Sequence, residues 1–171
     1  MQEFAAFGAL ACAVSLAVAG GASATEIRFG VLDHDPLIQK EDGVDLNAEI
    51  FFDDWFGGGS WQLRPSIGGT VNLQGDTSFG YVDLNYGGPI SDSWFLEFAV
   101  GGAVHNGKLE TTDPHRKELG GRVLIHAAVS LGVMLSDTIS LSLFADHMSN
   151  AGIEERNEGL ETAGLRVGFR L

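Results

Sequence analysis

Apolar and polar residues alternate along most of the chain, and a period of two predicts β-strands rather than helices. The alternation is clearest in residues 121–135, where every odd position from Val123 to Leu135 is apolar and the even positions include His126 and Ser130. Eight such segments cover residues 26–34, 44–54, 61–73, 79–87, 93–104, 121–135, 138–149 and 161–171. The pattern predicts an all-β chain of eight antiparallel strands.

The distribution of polar residues predicts which face of the strands turns outward. One face carries a nearly continuous series of Val, Leu, Ile and aromatic residues. The other carries Gly, Ser and charges of both signs, such as Glu49, Glu97, Arg64 and Arg166. Small residues and ion pairs fit the narrow interior of an eight-stranded barrel, and the apolar face fits lipid. We therefore predict an eight-stranded antiparallel transmembrane β-barrel; the alternative is a soluble, lipocalin-like carrier with an apolar interior.

The lengths of the connections predict how this barrel is oriented. Those after segments two, four and six are short, whereas those after segments one, three, five and seven are mostly longer and polar. Bacterial outer-membrane barrels have short periplasmic turns and longer extracellular loops. With that orientation, Trp61, Tyr86, Trp94 and Phe169 gather at the periplasmic end, where an interfacial aromatic girdle is expected.

The N-terminus predicts export. Residues 4–19 form an apolar run too short for a membrane-spanning helix, and Ala22-Ser23-Ala24 fits an A-x-A cleavage site. We expect residues 1–24 to be a signal peptide and residues 25–171 to form one barrel domain. Cys12, the single cysteine, would leave with the signal peptide. A buried N-terminal helix is the alternative, and Ala9 weakens a lipoprotein interpretation because a lipobox prefers Leu there.

Composition argues against two classes of function. The net charge is −13, with 23 acidic and 10 basic residues, so the basic surface that nucleic-acid binding needs is missing. His34, His105 and His115 lie in or near loops without the spacing of metal ligands. We expect no nucleic-acid partner, no metal and no cofactor.

Three residues with hydrolytic chemistry share the apolar register at the extracellular end of the last two strands. His147 and Ser149 are two residues apart on segment seven, so their side chains project the same way with Cα atoms about 6.6 Å apart. Glu161 opens segment eight, the neighbouring strand, and can reach the second imidazole nitrogen. A nucleophile, a base and an orienting carboxylate form the arrangement of a catalytic triad. We predict a serine-type ester hydrolase acting on a lipid, with Ser149 as nucleophile.

The tetrahedral intermediate of ester hydrolysis needs hydrogen-bond donors beside the serine. Asn150 and the backbone N–H groups of Ala151 and Gly152 are the candidates for oxyanion and substrate binding. Asp146 and His126 have the opposite register and should face the barrel interior, so neither is expected to belong to the triad.

The segment from Phe144 to Glu161, with its His-x-Ser-Asn-Ala sequence and the Glu that opens the last strand, resembles the lipid A 3-O-deacylase (PagL) family. The resemblance implies an eight-stranded outer-membrane enzyme with a triad on its lipid-facing exterior. It assigns the family's Ser, His and Glu to Ser149, His147 and Glu161, and an oxyanion role to Asn150. It also implies lipopolysaccharide as substrate and the homodimer as an assembly found among family members, although nothing in the sequence itself predicts a dimer.

The predicted reaction is hydrolysis of the ester that holds the 3-hydroxyacyl chain at position 3 of lipid A in the outer leaflet. Two alternatives remain at this point. An outer-membrane phospholipase would use the same three residue types, and a non-catalytic barrel would serve as a structural anchor or adhesin.

Overall fold

The structure, a computed structural model, describes residues 23–55 and 59–171 and contains a closed antiparallel barrel of eight strands. The strands are β1 (Ala24–His34), β2 (Val44–Phe52), β3 (Gln62–Asn72), β4 (Phe79–Pro89), β5 (Trp94–His105), β6 (Val123–Met134), β7 (Ile139–Ser149) and β8 (Leu160–Arg170). Each predicted segment is confirmed, with ends that differ by at most two residues.

The predicted signal peptide, residues 1–24, lies outside the described residues apart from Ser23 and Ala24, and Ala24 begins β1. Among the described residues, no helix has the length and hydrophobicity to cross a membrane.

Each strand pairs with its sequence neighbour, and β8 pairs with β1 to close the sheet. Closure leaves no free strand edge, as a barrel in lipid requires, because bilayer hydrocarbon offers no partner for an unpaired N–H or C=O. Ile27 shows the resulting register, since it lies opposite Ile50 on β2 and Phe169 on β8. The closed ladder fixes which side chains face outward on every strand.

The outer face is apolar, as predicted. Val31 is 57% exposed and Leu143 is 60% exposed, which would be costly in water but suits contact with lipid. Tyr86 and Trp94 are exposed at the end of the short turns, and the rings of Trp61 and Tyr86 lie 5.1 Å apart. The apolar exterior and polar interior are those of a membrane barrel and are the reverse of a lipocalin.

Paired charges fill the barrel interior. The guanidinium of Arg28 donates to Glu97 Oε1 at 2.6 Å and to Glu26 Oε1 at 2.7 Å, and all three side chains are buried. Arg166 is paired with Glu49, and its guanidinium lies 3.7 Å from the centre of the Phe144 ring. A buried charge is tolerated when its partners satisfy it, so these networks make the lumen a packed core.

A small apolar cluster closes the extracellular end of the lumen. Its members are Phe79, Tyr81, Ala103, Leu119, Leu124, Met148 and Leu160. All of them lie on strands except Leu119, which belongs to the long β5–β6 connection, residues 106–122. This loop therefore folds over the barrel mouth and is held there by a buried side chain, which brings its charged residues close to the ends of β7 and β8.

Candidate functional site

His147 and Glu161 form a hydrogen-bonded pair on the outer face of the barrel. They lie directly opposite each other in the β7–β8 ladder, and His147 Nδ1 is 2.8 Å from Glu161 Oε1. The imidazole is 49% exposed and the carboxylate 17% exposed. Because Nδ1 faces the carboxylate, Nε2 is the ring nitrogen left to exchange a proton with a substrate or a nucleophile.

Ser149 is the last residue of β7 and projects from the same face as His147, two positions away. It lies opposite Ile125 of β6, another outward-facing residue. In the described part of the chain, the Ser149 hydroxyl is not hydrogen-bonded to the imidazole. Contacts between nucleophile and base are often long in unliganded enzymes and shorten when substrate binds.

Gly159 packs against the imidazole of His147 at the start of β8. A Cβ atom at this position would lie 2.8 Å from His147 Cε1 and 3.6 Å from Nε2. Gly159 also has a φ of +67°, a left-handed conformation that side chains other than hydrogen disfavour. Gly159 was not among the predicted site residues, because a glycine in a polar loop does not by itself indicate what it contacts.

The structure places the predicted oxyanion donors in the β7–β8 loop, but two of them are already hydrogen-bonded to groups of this loop and of the β5–β6 loop. Asn150 Nδ2 donates to the carbonyl oxygens of Leu119 at 3.1 Å and Arg156 at 2.5 Å. The N–H of Gly152 donates to Asn150 Oδ1 at 2.9 Å. An asparagine that follows a strand often stabilises the next turn in this way, through hydrogen bonds between its side chain and backbone groups. Of the three candidates, the N–H of Ala151 is the one with no acceptor among the described residues.

Asp146 and His126 face the lumen, as their register predicted. Asp146 Oδ1 accepts hydrogen bonds from the backbone N–H and the hydroxyl of Thr162, each at 2.9 Å. His126 lies between Asp83 and Asp146, at 2.8 and 3.3 Å. Because Asp146 precedes His147 and Thr162 follows Glu161, this internal pair fixes the β7–β8 register directly behind the outward-facing pair.

A lysine from the β5–β6 loop also reaches the site. Lys117 Nζ lies 3.4 Å from Glu161 Oε2 and 2.6 Å from Asp35 Oδ1, and its side chain is 1% exposed. Asp35 is fully buried, and its backbone N–H donates to the carbonyl oxygen of Glu161 at 2.9 Å. Lys117 could not be predicted as a site residue from sequence, because it lies 44 residues before Glu161 in a loop without periodicity.

Glu41 ties three extracellular loops together around Lys117. Its carboxylate accepts hydrogen bonds from the backbone N–H groups of Thr77 and Lys117 and contacts His34 and Arg116. Burial alone would raise the pKa of Glu41, but these bonds and the nearby guanidinium lower that pKa to about 2. The carboxylate is therefore ionised and holds together the loops above the site.

An open groove lies on the outer surface beside Ser149. Its volume is about 330 Å³, and its lining includes Gly102, Val123, Ile125 and Ile153. Glycine on β5 lowers the surface, while apolar side chains from β6 and the β7–β8 loop form its sides. The groove therefore presents a mostly apolar surface next to the end of β7, with Asn150 and Glu154 as its polar lining residues.

Comparisons with known proteins agree with this architecture. The sequence profile of the lipid A 3-O-deacylase (PagL) family matches residues 42–170. The lipid A deacylase PagL of Bordetella bronchiseptica is 30% identical over 174 aligned residues, which cover 95% of this chain and 90% of that protein.

Among solved structures, the outer membrane enzyme PagL superposes with a TM-score of 0.67 at 17% identity, covering 85% of this chain and 99% of that one. The outer membrane protein Ail of Yersinia pestis superposes with a TM-score of 0.52 at 12% identity, covering 86% and 99%. These two likenesses concern the fold. The family profile and the Bordetella bronchiseptica relative show that the chain belongs to the lipid A 3-O-deacylase (PagL) family of outer-membrane ester hydrolases.

Proposed function

We propose that this protein hydrolyses the ester that links the 3-hydroxyacyl chain to position 3 of lipid A, with Ser149 as nucleophile, His147 as general base and Glu161 as the residue that orients the imidazole. The observation that carries the proposal is the 2.8 Å pair of His147 and Glu161 on the lipid-facing surface, with Ser149 on the same face. A polar pair at that position costs free energy unless it interacts with a polar part of a lipid.

The reaction follows from the roles of the three side chains. His147 Nε2 takes the Ser149 proton as Oγ attacks the ester carbonyl carbon, and the imidazolium then protonates the departing sugar oxygen. The acyl chain is left on Ser149. Water that gives a proton to His147 attacks this acyl-enzyme, and the imidazolium returns the proton to Ser149 Oγ as the 3-hydroxy fatty acid is released. Glu161 stabilises the imidazolium in both steps.

Negative charge on the substrate oxygen needs a donor near Ser149. The N–H of Ala151 fits this role best, because it is two residues from Ser149 and has no acceptor among the described residues. Ala151 has a left-handed φ of 55°, which turns the backbone sharply after β7. Asn150 then contributes by holding the turn, through its bonds to Leu119, Arg156 and Gly152.

The depth of the site suits an ester of the outer leaflet. β7 rises from its periplasmic turn at Ile139 to His147, a distance of roughly 20–25 Å along the barrel axis at about 3.3 Å per residue and a tilt of about 40°. His147 therefore lies near the upper edge of the hydrocarbon region, where the acyl esters of lipid A are found. The apolar groove lined by Ile125 and Ile153 would receive the acyl chain that is removed.

Mass spectrometry of lipid A tests the proposal, with Ser149→Ala compared with Ser142→Ala. Ser142 is on the same strand but buried in the lumen, so it controls for loss of a hydroxyl from β7. The wild type and Ser142→Ala should remove one 3-hydroxyacyl chain, and Ser149→Ala should remove none while still migrating as a heat-modifiable barrel. Deacylation by Ser149→Ala would reject the nucleophile, and release of fatty acid from phospholipid alone would reject the substrate.

A further inference from the structure

We propose that Lys117 is a positioning residue for the reaction: it anchors Glu161 from the β5–β6 loop and so makes deacylation depend on that loop being docked over the barrel. This inference rests on the proposed function, because it assigns Lys117 a role through the His147–Glu161 pair.

The two carboxylate oxygens of Glu161 have different partners. Oε1 accepts from His147 at 2.8 Å, and Oε2 lies 3.4 Å from Lys117 Nζ. A carboxylate held at one oxygen can rotate about its last side-chain bond, since that torsion is broad. The second contact restricts this rotation and keeps Oε1 directed at the imidazole.

Burial makes the lysine an effective anchor. An ammonium group with a 1% exposed side chain is stable only when it is paired, and Lys117 has Asp35 at 2.6 Å as its closest partner. Asp35 also contacts the backbone of Glu161, because the N–H of Asp35 donates to the carbonyl oxygen of Glu161. The ammonium group therefore links the β1–β2 and β5–β6 loops to Glu161 at the start of β8.

The loop that carries Lys117 is itself fixed on both sides of the residue. The N–H of Lys117 donates to Glu41 Oε1 at 3.0 Å, and the next N–H, that of Glu118, donates to Glu158 Oε2 at 2.5 Å. Leu119 follows and is buried in the apolar cluster of the barrel mouth. Three successive residues thus place the ammonium group, which argues for a defined position and against a chance contact.

The charges around Glu161 determine the expected pH effect. His147 faces it from β7, Lys117 from the β5–β6 loop, and Asp35 carries the negative charge next to Lys117. Removing the ammonium group leaves the carboxylates to stabilise a protonated imidazole more strongly. Because His147 must be neutral to act as base, the acid limb of the kcat/KM profile should then move to higher pH.

The test compares Lys117→Met, Lys117→Arg and the double variant Asp35→Asn/Lys117→Met, measured on lipid A in detergent micelles across the pH range of activity. In Lys117→Met we expect kcat to fall about tenfold with KM little changed, and the acid limb to move to higher pH. Lys117→Arg keeps the charge and should retain the wild-type profile.

The double variant separates positioning from folding, because it removes the buried aspartate charge that Lys117→Met would leave unpaired. It should fold as a heat-modifiable barrel and still show the lowered kcat, with an acid limb close to that of the wild type because both charges of the Lys117–Asp35 pair are removed. A wild-type kcat in either Met variant, or a wild-type pH profile in Lys117→Met, would overturn the inference while Ser149→Ala remained inactive. A wild-type protein that leaves lipid A intact would overturn the proposed function itself, and this inference with it.

Discussion

Gly159 offers a sharp test of how closely the imidazole must be held. A methyl group introduced by Gly159→Ala would lie 2.8 Å from His147 Cε1. Ordinary contacts between carbon atoms are about 3.5–4.0 Å, so the ring or the start of β8 must move by about 0.7 Å or more. A displacement of about 1 Å at a catalytic group costs on the order of 10²-fold, so we expect kcat/KM to fall roughly 10- to 100-fold.

Gly75→Ala is the matched control, since Gly75 also has a left-handed φ, +92°, but no atom lies within 4 Å of the position of its Cβ. Both variants lose about 1 kcal/mol of stability for an alanine in that conformation, so Gly75→Ala controls for the backbone cost without a contact to the imidazole. Initial rates of fatty-acid release, followed by mass spectrometry, distinguish them. If Gly159→Ala and Gly75→Ala release fatty acid at the same rate, the reaction does not depend on the close contact between Gly159 and the imidazole.

Three further outcomes follow from the same contacts. Glu161→Gln should lower kcat by about 10²- to 10⁴-fold without loss of folding, because an amide no longer stabilises the protonated His147; lipid A deacylation rates measure this. Arg166→Met leaves the Glu49 carboxylate buried and unpaired, so it should lower the free energy of unfolding by about 3–5 kcal/mol in urea titrations, and adding Glu49→Gln should recover part of the loss. Glu41 has a folded pKa of about 2, below its ordinary 4.5, so its contribution to loop stability is complete above pH 4.5 and is lost as the pH falls toward 2; limited digestion by an acid-stable protease should detect that loss.

The strands and the outward-facing pair could be predicted because both depend on parity. In a sheet, residues of one register share a face, so an apolar series such as Leu141, Leu143 and Ala145 places His147 and Ser149 on the same side. Antiparallel pairing of consecutive strands then places Glu161 opposite His147. These inferences need no knowledge of the loops, and the structure confirms the barrel and the register.

The parts that could not be predicted belong to loops, where no repeating pattern relates sequence to position. Lys117 reaches Glu161 because Leu119 is buried in the barrel mouth, a contact between residues far apart in the chain. Asn150 carries an amide that could act as an oxyanion donor, but its nitrogen donates to backbone carbonyls of Leu119 in the β5–β6 loop and Arg156 in the β7–β8 loop. Such side-chain bonds depend on the three-dimensional course of the backbone, which the order of residue types does not specify.

Covalent capture tests the central claim most directly, namely that a nucleophile activated by His147 faces the lipid. The protein in bilayer vesicles is treated with a long-chain alkyl fluorophosphonate, which partitions into the membrane, and the labelled peptide is identified by mass spectrometry. We expect one phosphonyl adduct, on Ser149 Oγ, and far slower labelling in His147→Ala. An adduct on another residue, or an unlabelled Ser149 in protein that still deacylates lipid A, would contradict the account.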